Sequence, residues 1–172
     1  MDFEYKKVTP ADDDFIELVR ELSASLEAIT ADTGEGSFAA EAFDADQDGC
    51  LVVYADGVAV ACGIFRYQAE GVCELKRMYS KQQGAGTYLL QQLETYAAAK
   101  GYCQVLLSTR RVNQKAVGFY LRNGYHETQA YGRYLGVARS VCFRKILIVW
   151  RGLVIHIPVS YTHLTLPTIY SV

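Results

Sequence analysis

Hydrophobic and polar positions divide the start of the chain into a strand, a helix and a polar loop. Phe3–Val8 alternates roughly as a strand does. Pro10 and the three carboxylates of Asp12–Asp14 predict a helix N-terminus, because carboxylates stabilise the positive end of the helix dipole. Apolar residues at helical spacing extend this helix to about Ile29. Residues 33–49 are polar, acidic and contain glycine, which predicts a loop.

Three strands follow this loop. Leu51–Ala55 and Val58–Tyr67 are apolar and rich in β-branched residues, and the Asp56-Gly57 pair between them predicts a hairpin turn. Val72–Ser80 predicts the next strand. The remaining elements are predicted in the order helix 88–100, strand 105–108, helix 113–123, strands 125–134 and 140–147. This order predicts a mixed α/β sheet flanked by helices.

Composition narrows the function classes. The 172 residues predict one domain. Seventeen basic against 19 acidic side chains leave a formal charge of -2, which favours neither nucleic acid nor an anionic membrane as a partner. The longest apolar stretch, Ile146–Val159, is too short for a membrane span of about 20 residues. No apolar segment follows the charges at the start, so no signal peptide is predicted and a cytoplasmic location is expected.

The residues that usually bind metals do not predict a metal site. The five cysteines have no CxxC spacing, which favours buried, reduced thiols over disulfides or metal ligands. The three histidines are dispersed. Asp44, Asp46 and Asp48 have the spacing of a calcium loop, but the glycine and the bidentate glutamate of such a loop are missing in register. A solvated loop without metal is expected.

A glycine-rich turn is the first feature with chemical meaning. Gly84-Ala85-Gly86 lies between a predicted strand and a helix N-terminus, where glycines let a ligand approach the backbone and free amides favour a phosphate. No Gly-Lys-Ser/Thr follows, which excludes a P-loop, and the spacing is not that of a dinucleotide-binding motif. A plain glycine turn is the alternative.

The segment Asn113–Tyr125, NQKAVGFYLRNGY, carries a family resemblance. It resembles the Asn-x-x-Ala-x-x-x-Tyr-x-x-x-Gly-Phe/Tyr segment of the GCN5-related N-acetyltransferase (GNAT) family. Glu74–Ser80 is similar to the fourth strand of that fold, and Gly84–Leu90 to its pyrophosphate turn and following helix. The resemblance covers residues 3–147 in the family's order. It implies that the fourth and fifth strands splay apart and that acetyl-CoA is the co-substrate.

The resemblance also implies where the co-substrate binds. Its pantetheine arm would pair with the strand backbone of Met78, Tyr79 and Ser80, and Asn113 matches a position that contacts the coenzyme. Its pyrophosphate would bind the amides of the turn formed by Gln82, Gln83, Gly84, Ala85, Gly86 and Thr87. A basic cluster either attracts the phosphates or is a solvated rim. This cluster comprises Lys76, Arg77, Lys81, Arg110 and Arg111.

Two residues are the catalytic candidates. Tyr120 matches the tyrosine that donates a proton to the departing thiolate in the family, with an aromatic residue packed beneath the sheet as the alternative. Glu74 matches a position where relatives often use a glutamate as the base. Its alternative is an ion pair with Lys76 or Arg77. Strand amides near Met78 could stabilise the developing oxyanion.

Two features depart from the family. The link between the fourth strand and the glycine turn, Lys81–Gln83, is shorter than in most relatives. In addition, Val159–Thr168 resembles translated sequencing-adapter DNA. Residues 148–172 are therefore expected to be a non-native tail, and residues 1–147 the GNAT domain. A genuine extra strand is the alternative.

The expected function is transfer of an acetyl group from acetyl-CoA to a primary amine of a small molecule, without an acyl-enzyme. Acetylation of a protein N-terminus or lysine, and a regulatory module that only binds coenzyme A, are the alternatives. Tyr125, Tyr131 and Tyr134 are candidates for an acceptor pocket, with core or rim positions as the alternative. The acceptor amine is not encoded in a motif, and a homodimer is left open.

Overall fold

The computed structural model describes residues 2–31, 42–150 and 153–155, which include a seven-stranded sheet with helices on both faces. This confirms the expected mixed α/β class. In chain order, the elements are β1 (Phe3–Val8), α1 (Asp13–Thr30), β2 (Gly49–Ala55), β3 (Val58–Ala69), β4 (Val72–Ser80), α2 (Ala85–Ala99), β5 (Gln104–Arg110), α3 (Gln114–Arg122), β6 (His126–Thr128), a 3-10 turn (Gly132–Tyr134), β7 (Ser140–Ile146), β8 (Val149–Trp150) and β9 (Leu153–Val154).

The large sheet has the strand order β1-β2-β3-β4-β5-β7-β6. Its strands pair antiparallel except for β4 and β5, which are parallel. A parallel pair needs a crossover connection, and α2 supplies it. The helix covers one face of the sheet on its way from the end of β4 to the start of β5.

Strict alternation in β2 divides the core between the two faces. Leu51 and Val53 pack in the cluster that contains α2 and α3, whereas Val52 packs with Phe15 and Leu18 of α1. The first turn of α1 is stabilised by Asp12, whose carboxylate accepts a hydrogen bond from the backbone N–H of Phe15 at 3.1 Å. Helix α1 therefore lies on one face, and α2 and α3 lie on the other.

A buried ion pair joins α2 to β7. Glu94 is 1% exposed, and both its carboxylate oxygens lie 3.0 Å from Nζ of Lys145. The Tyr125 hydroxyl donates to the same carboxylate at 2.9 Å. Tyr125 is therefore a core residue rather than part of an acceptor pocket. No motif in the sequence marks Glu94 as a buried ion-pair partner.

The predicted strand 125–134 is wrong over most of its length. Strand β6 covers only His126–Thr128, and the chain then forms a 3-10 turn. Gly132 and Gly136 have φ of 51° and 75°, left-handed values that end a strand. The segment instead folds over the α1 face, where the Tyr131 hydroxyl donates to Glu74 at 3.0 Å.

The chain after β7 continues into a small hairpin. Leu147 is buried, and its N–H donates to the Cys103 carbonyl at 2.8 Å. Strands β8 and β9 pair antiparallel, and β9 lies against α2. The adapter-like segment 159–168 lies outside the described residues. The division of the chain at residue 147 therefore stays a prediction.

Other expectations concern membranes, cysteines and the acidic loop. No helix in the described ranges combines the length and apolarity needed to cross a membrane. All five cysteines are free thiols, four of them buried and Cys103 exposed.

In the acidic loop, the Asp48 carboxylate accepts hydrogen bonds from the N–H groups of Asp44 and Tyr67, each at 2.9 Å. This carboxylate therefore holds the turn before β2 together.

Candidate active site

Strands β4 and β5 separate halfway along their length. Their parallel pairing ends at Leu75 and Leu107, whereas β4 continues to Ser80 and β5 to Arg110. A cavity of about 360 Å³ lies between the separated ends and is lined by residues of both strands. The splay of the fourth and fifth strands is present as expected.

A β-bulge in β4 lies at the start of the separation. Arg77 has a φ of 52°, and the register with β3 shifts so that Arg77 and Met78 together face Gly63. Position 63 must be small, because an added Cβ would collide with Sδ of Met78. A bulge bends its strand, which accounts for the divergence of β4 from β5.

The glycine turn presents an uncapped helix N-terminus. Gly84 is the N-cap of α2, with φ of 84°, and no side chain caps the helix. Gly86 packs against β4, and an added Cβ would lie 3.3 Å from Cβ of Ser80. The short Lys81–Gln83 link is fixed by hydrogen bonds from the Ser80 hydroxyl and the Ala85 N–H to the Gln82 carbonyl, at 3.0 and 3.2 Å. Apart from the bonded N–H of Ala85, the turn therefore places backbone amides at the positive end of a helix dipole.

Tyr120 brings a buried phenol to the cavity from α3. The residue is 7% exposed, and its ring packs against Phe119, Tyr125 and Phe143. Its hydroxyl forms no hydrogen bond with another described residue, and the side chain lines the cavity. Burial raises the pKa of Tyr120 above the usual value for tyrosine. The phenol is therefore protonated beside the cavity, and its role as the general acid stays a prediction.

Asn113 begins α3 and lines the same cavity. Its side-chain oxygen accepts a hydrogen bond from the Ala116 N–H at 3.2 Å, which makes it the N-cap of the helix. The side chain thus fixes the start of α3 and the approach of Tyr120 to the cavity. A contact between Asn113 and the coenzyme stays a prediction.

Glu74 lies on the opposite, α1 face of β4. Its side chain is 8% exposed, accepts a hydrogen bond from the Tyr131 hydroxyl at 3.0 Å, and lies 3.3 Å from Nζ of Lys76. Lys76 and Tyr134 line the cavity, whereas Glu74 lies behind them. The ion pair considered from the sequence is present. The role of Glu74 as the base stays a prediction.

Burial and charge act together on the groups around this carboxylate. Burial lowers the pKa of Lys76, and the charge of Glu74 opposes that effect. Burial also raises the pKa of both Tyr131 and Tyr134, and the charge of Glu74 raises them further. Both phenols therefore keep their protons and can donate hydrogen bonds to the carboxylate.

The basic cluster does not act as one unit. Nζ of Lys81 lies 2.8 Å from a Glu21 oxygen, and that carboxylate also accepts a hydrogen bond from Tyr79. Arg111 pairs with Glu127 at 3.3 Å. The remaining members of the cluster line the cavity: Lys76, Arg77 and Arg110.

Several cavity residues carried no signal in the sequence. The second half of α1 contributes Leu22, Leu26 and Thr30, and the loop before β7 contributes Arg133 and Arg139. The two leucines follow the apolar helical period, which predicts a core position for them. The arginines lie in a loop whose course depends on contacts with β4.

Comparisons with known proteins agree with this geometry. The model of the acetyltransferase (GNAT) family matches residues 15–125. No curated protein matches the sequence. Among solved structures, the chain is similar to a Klebsiella pneumoniae subsp. pneumoniae protein assigned as an acyl-CoA N-acyltransferase. The identity is 27% and the TM-score 0.74, over 85% of this chain and 98% of that one.

Two further structures contain the coenzyme. PaiA N-acetyltransferase of Thermoplasma acidophilum, in complex with coenzyme A, is 20% identical with a TM-score of 0.68, over 85% of this chain and 99% of that one. A GNAT acetyltransferase of Elizabethkingia anophelis with acetyl-CoA bound is 13% identical with a TM-score of 0.61, over 84% and 98%. These two likenesses concern the fold alone. Because the family model spans more than half of the 172 residues, the chain is an acyltransferase that belongs to the acetyltransferase (GNAT) family.

Proposed function

We propose that this enzyme transfers an acetyl group from acetyl-CoA directly to a primary amine of a small molecule. The observation that carries the proposal is the cavity between β4 and β5. Tyr120 lines it from the α3 side, and Lys76 and Tyr134 line it from the α1 side in front of Glu74. A thioester and an amine that entered from opposite faces would meet in this gap.

Two features of the α2 face fit acetyl-CoA. The β4 backbone from Met78 to Ser80 has no β5 partner, so it can hydrogen-bond to the amides of a pantetheine arm. The amides from Gln82 to Thr87 surround an uncapped helix N-terminus, which suits a pyrophosphate. The co-substrate supplies an activated acyl group, and a backbone N–H near Met78 would stabilise the charge that develops on the acyl oxygen.

Tyr120 is proposed as the general acid. Its raised pKa keeps the phenol protonated at physiological pH, and its hydroxyl is not engaged by another described residue. A proton from this hydroxyl would neutralise the sulfur as the thiolate leaves. Water excluded by the surrounding aromatic rings would not compete for that proton.

Glu74 is proposed as the final acceptor of the amine proton. The carboxylate lies behind the cavity wall, so we propose that the proton reaches it through the Tyr134 hydroxyl or a water molecule. Tyr134 lines the cavity, and a hydrogen bond to Glu74 contributes to its raised pKa. Nζ of Lys76 lies 3.3 Å from this carboxylate and holds it in place beside the cavity wall.

The test is thiol release from acetyl-CoA by the full chain across small primary amines, aminoglycosides, and peptides with a free N-terminus or lysine. We expect release with small amines, with initial-rate patterns of a ternary complex rather than of an acyl-enzyme. A preference for peptides would show that the acceptor is a protein rather than a small molecule. Binding of coenzyme A without thiol release for any amine would identify a regulatory module instead.

A further inference from the structure

The α1 side of the cavity is strongly cationic. Three arginines line it, and we call them the arginine rim: Arg110 at the end of β5, and Arg133 and Arg139 in the loop before β7. Lys76 and Arg77 also line the cavity, whereas no described aspartate or glutamate does. The described wall of the cavity therefore carries cationic side chains and no carboxylate, and Glu74 lies behind Lys76.

The arginine rim lies on the face where the acceptor would enter. Leu107 of β5 packs in the α2 cluster, so alternation directs Arg110 toward the α1 face. Arg110 and Arg139 also line a second cavity of about 410 Å³ with Thr30 and Ala31 of α1. The rim is thus on the opposite face from the amides of α2 that suit a pyrophosphate.

Two side chains of the arginine rim have no described interaction that stabilises the fold. No described residue forms a hydrogen bond or ion pair with the guanidinium of Arg133 or Arg139, and both residues are exposed. The positive charge of Arg133 acts on the cavity electrostatically, because it contributes to the lowered pKa of Lys76 after the larger effect of burial. A guanidinium binds carboxylate and phosphate groups through paired hydrogen bonds.

We propose that the acceptor is a primary amine that also carries an anionic group, either a carboxylate or a phosphate-type group. The arginine rim holds the anion, and the amine then points into the gap between β4 and β5. Polyamines and aminoglycosides, which are cationic throughout, are disfavoured by the same charges. This inference rests on the proposed acetyl transfer and specifies its acceptor.

The test uses four amines of matched length in the thiol-release assay: β-alanine, aminoethylphosphonate, propylamine and ethylenediamine. We expect kcat/KM for an anionic amine to exceed that for propylamine by about 10- to 100-fold, as a charge-assisted hydrogen bond provides. Ethylenediamine should be the poorest. The order of β-alanine and aminoethylphosphonate separates a carboxylate from a phosphate-type acceptor.

Variants test whether the arginine rim is responsible. Arg133→Gln and Arg139→Gln should each raise KM for the anionic amine about tenfold or more, while KM for acetyl-CoA and kcat/KM for propylamine stay within about twofold. Arg144→Gln is the matched control, because Arg144 is an exposed arginine that does not line the cavity. Arg139→Glu should shift preference toward ethylenediamine.

The outcomes separate this inference from the proposed function. Equal or better turnover of propylamine or ethylenediamine would overturn the anionic acceptor and leave acetyl transfer intact. A rise in KM for acetyl-CoA in the rim variants would assign the arginines to the coenzyme and also overturn it. Absence of thiol release with all four amines and the wider amine panel, while coenzyme A still binds, would overturn both.

Discussion

Replacement of Tyr120 by phenylalanine separates catalysis from folding. The change removes one hydroxyl and keeps the ring, whose centroid lies 5.2 Å from that of Phe119 and 5.6 Å from that of Tyr125. The hydroxyl forms no hydrogen bond with another described residue, so its removal leaves no described partner unsatisfied. We therefore expect the free energy of unfolding to change by less than about 1 kcal/mol.

The expected effect on turnover is much larger. Loss of a positioned general acid lowers kcat by about 100- to 10,000-fold, which corresponds to roughly 3–5 kcal/mol in the activation barrier. KM for acetyl-CoA should change little, because the proposed binding groups are backbone amides of β4 and the α2 turn. In the wild type, the raised pKa of Tyr120 keeps the phenol protonated in alkaline solution. At any pH below about 10, kcat should therefore show no loss caused by deprotonation of Tyr120.

The assay measures thiol release under saturating acetyl-CoA, together with thermal unfolding and coenzyme A binding. Tyr96→Phe is the matched control. Tyr96 is a partly buried tyrosine on α2 whose ring packs edge-on against Phe65 at 5.2 Å, away from the cavity. Wild-type kcat in Tyr120→Phe would refute the role of general acid. A similar loss of kcat in Tyr96→Phe would show that removal of any such hydroxyl disturbs the enzyme.

Three further changes test the turn, the base and the core. Gly84→Ala should raise KM for acetyl-CoA and lower the free energy of unfolding by about 1–2 kcal/mol. Gly57→Ala is the control: Gly57 has a φ of 78° in an open hairpin turn, so its replacement should lower stability by a similar amount and leave KM unchanged. Glu74→Gln should lower kcat about 100-fold. If stability falls instead while kcat stays normal, Glu74 acts only through its ion pair with Lys76. Lys145→Met should lower the free energy of unfolding by about 3–5 kcal/mol, because the buried carboxylate of Glu94 loses the cation 3.0 Å from it. Chemical denaturation that shows no loss would contradict this.

The sequence predicts the elements of this fold where the signal is local. The bounds of β1 and β4 agree with the predicted strands, and α1 ends one residue after the predicted Ile29. The strand predicted over residues 125–134 fails because the glycines at 132 and 136 adopt left-handed conformations and because Tyr131 bonds to Glu74 across the fold. Apolar periodicity within a segment cannot report a hydrogen bond to a residue 57 positions away.

The two sides of the site differ in how far the sequence reveals them. On the proposed coenzyme side, binding to backbone amides would require an unpaired strand, a glycine turn and a helix start, and each of these is encoded by consecutive residues of the sequence. On the acceptor side, the wall consists of separate side chains from α1, β5 and the loop before β7. Their assembly depends on the strand order, in which β7 lies between β5 and β6.

This difference has a consequence for specificity. The amides proposed to bind the coenzyme belong to the backbone of β4 and of the α2 turn, so side-chain substitutions do not remove them. The arginine rim, in contrast, consists of the part-buried Arg110 at a strand end and of Arg133 and Arg139 in a loop, which are exposed and have no described partner. Substitutions there should alter which amine is accepted at little cost in stability. With the proposed assignments, acceptor choice and coenzyme binding would be separable properties of opposite faces of one sheet, which meet where β4 and β5 diverge.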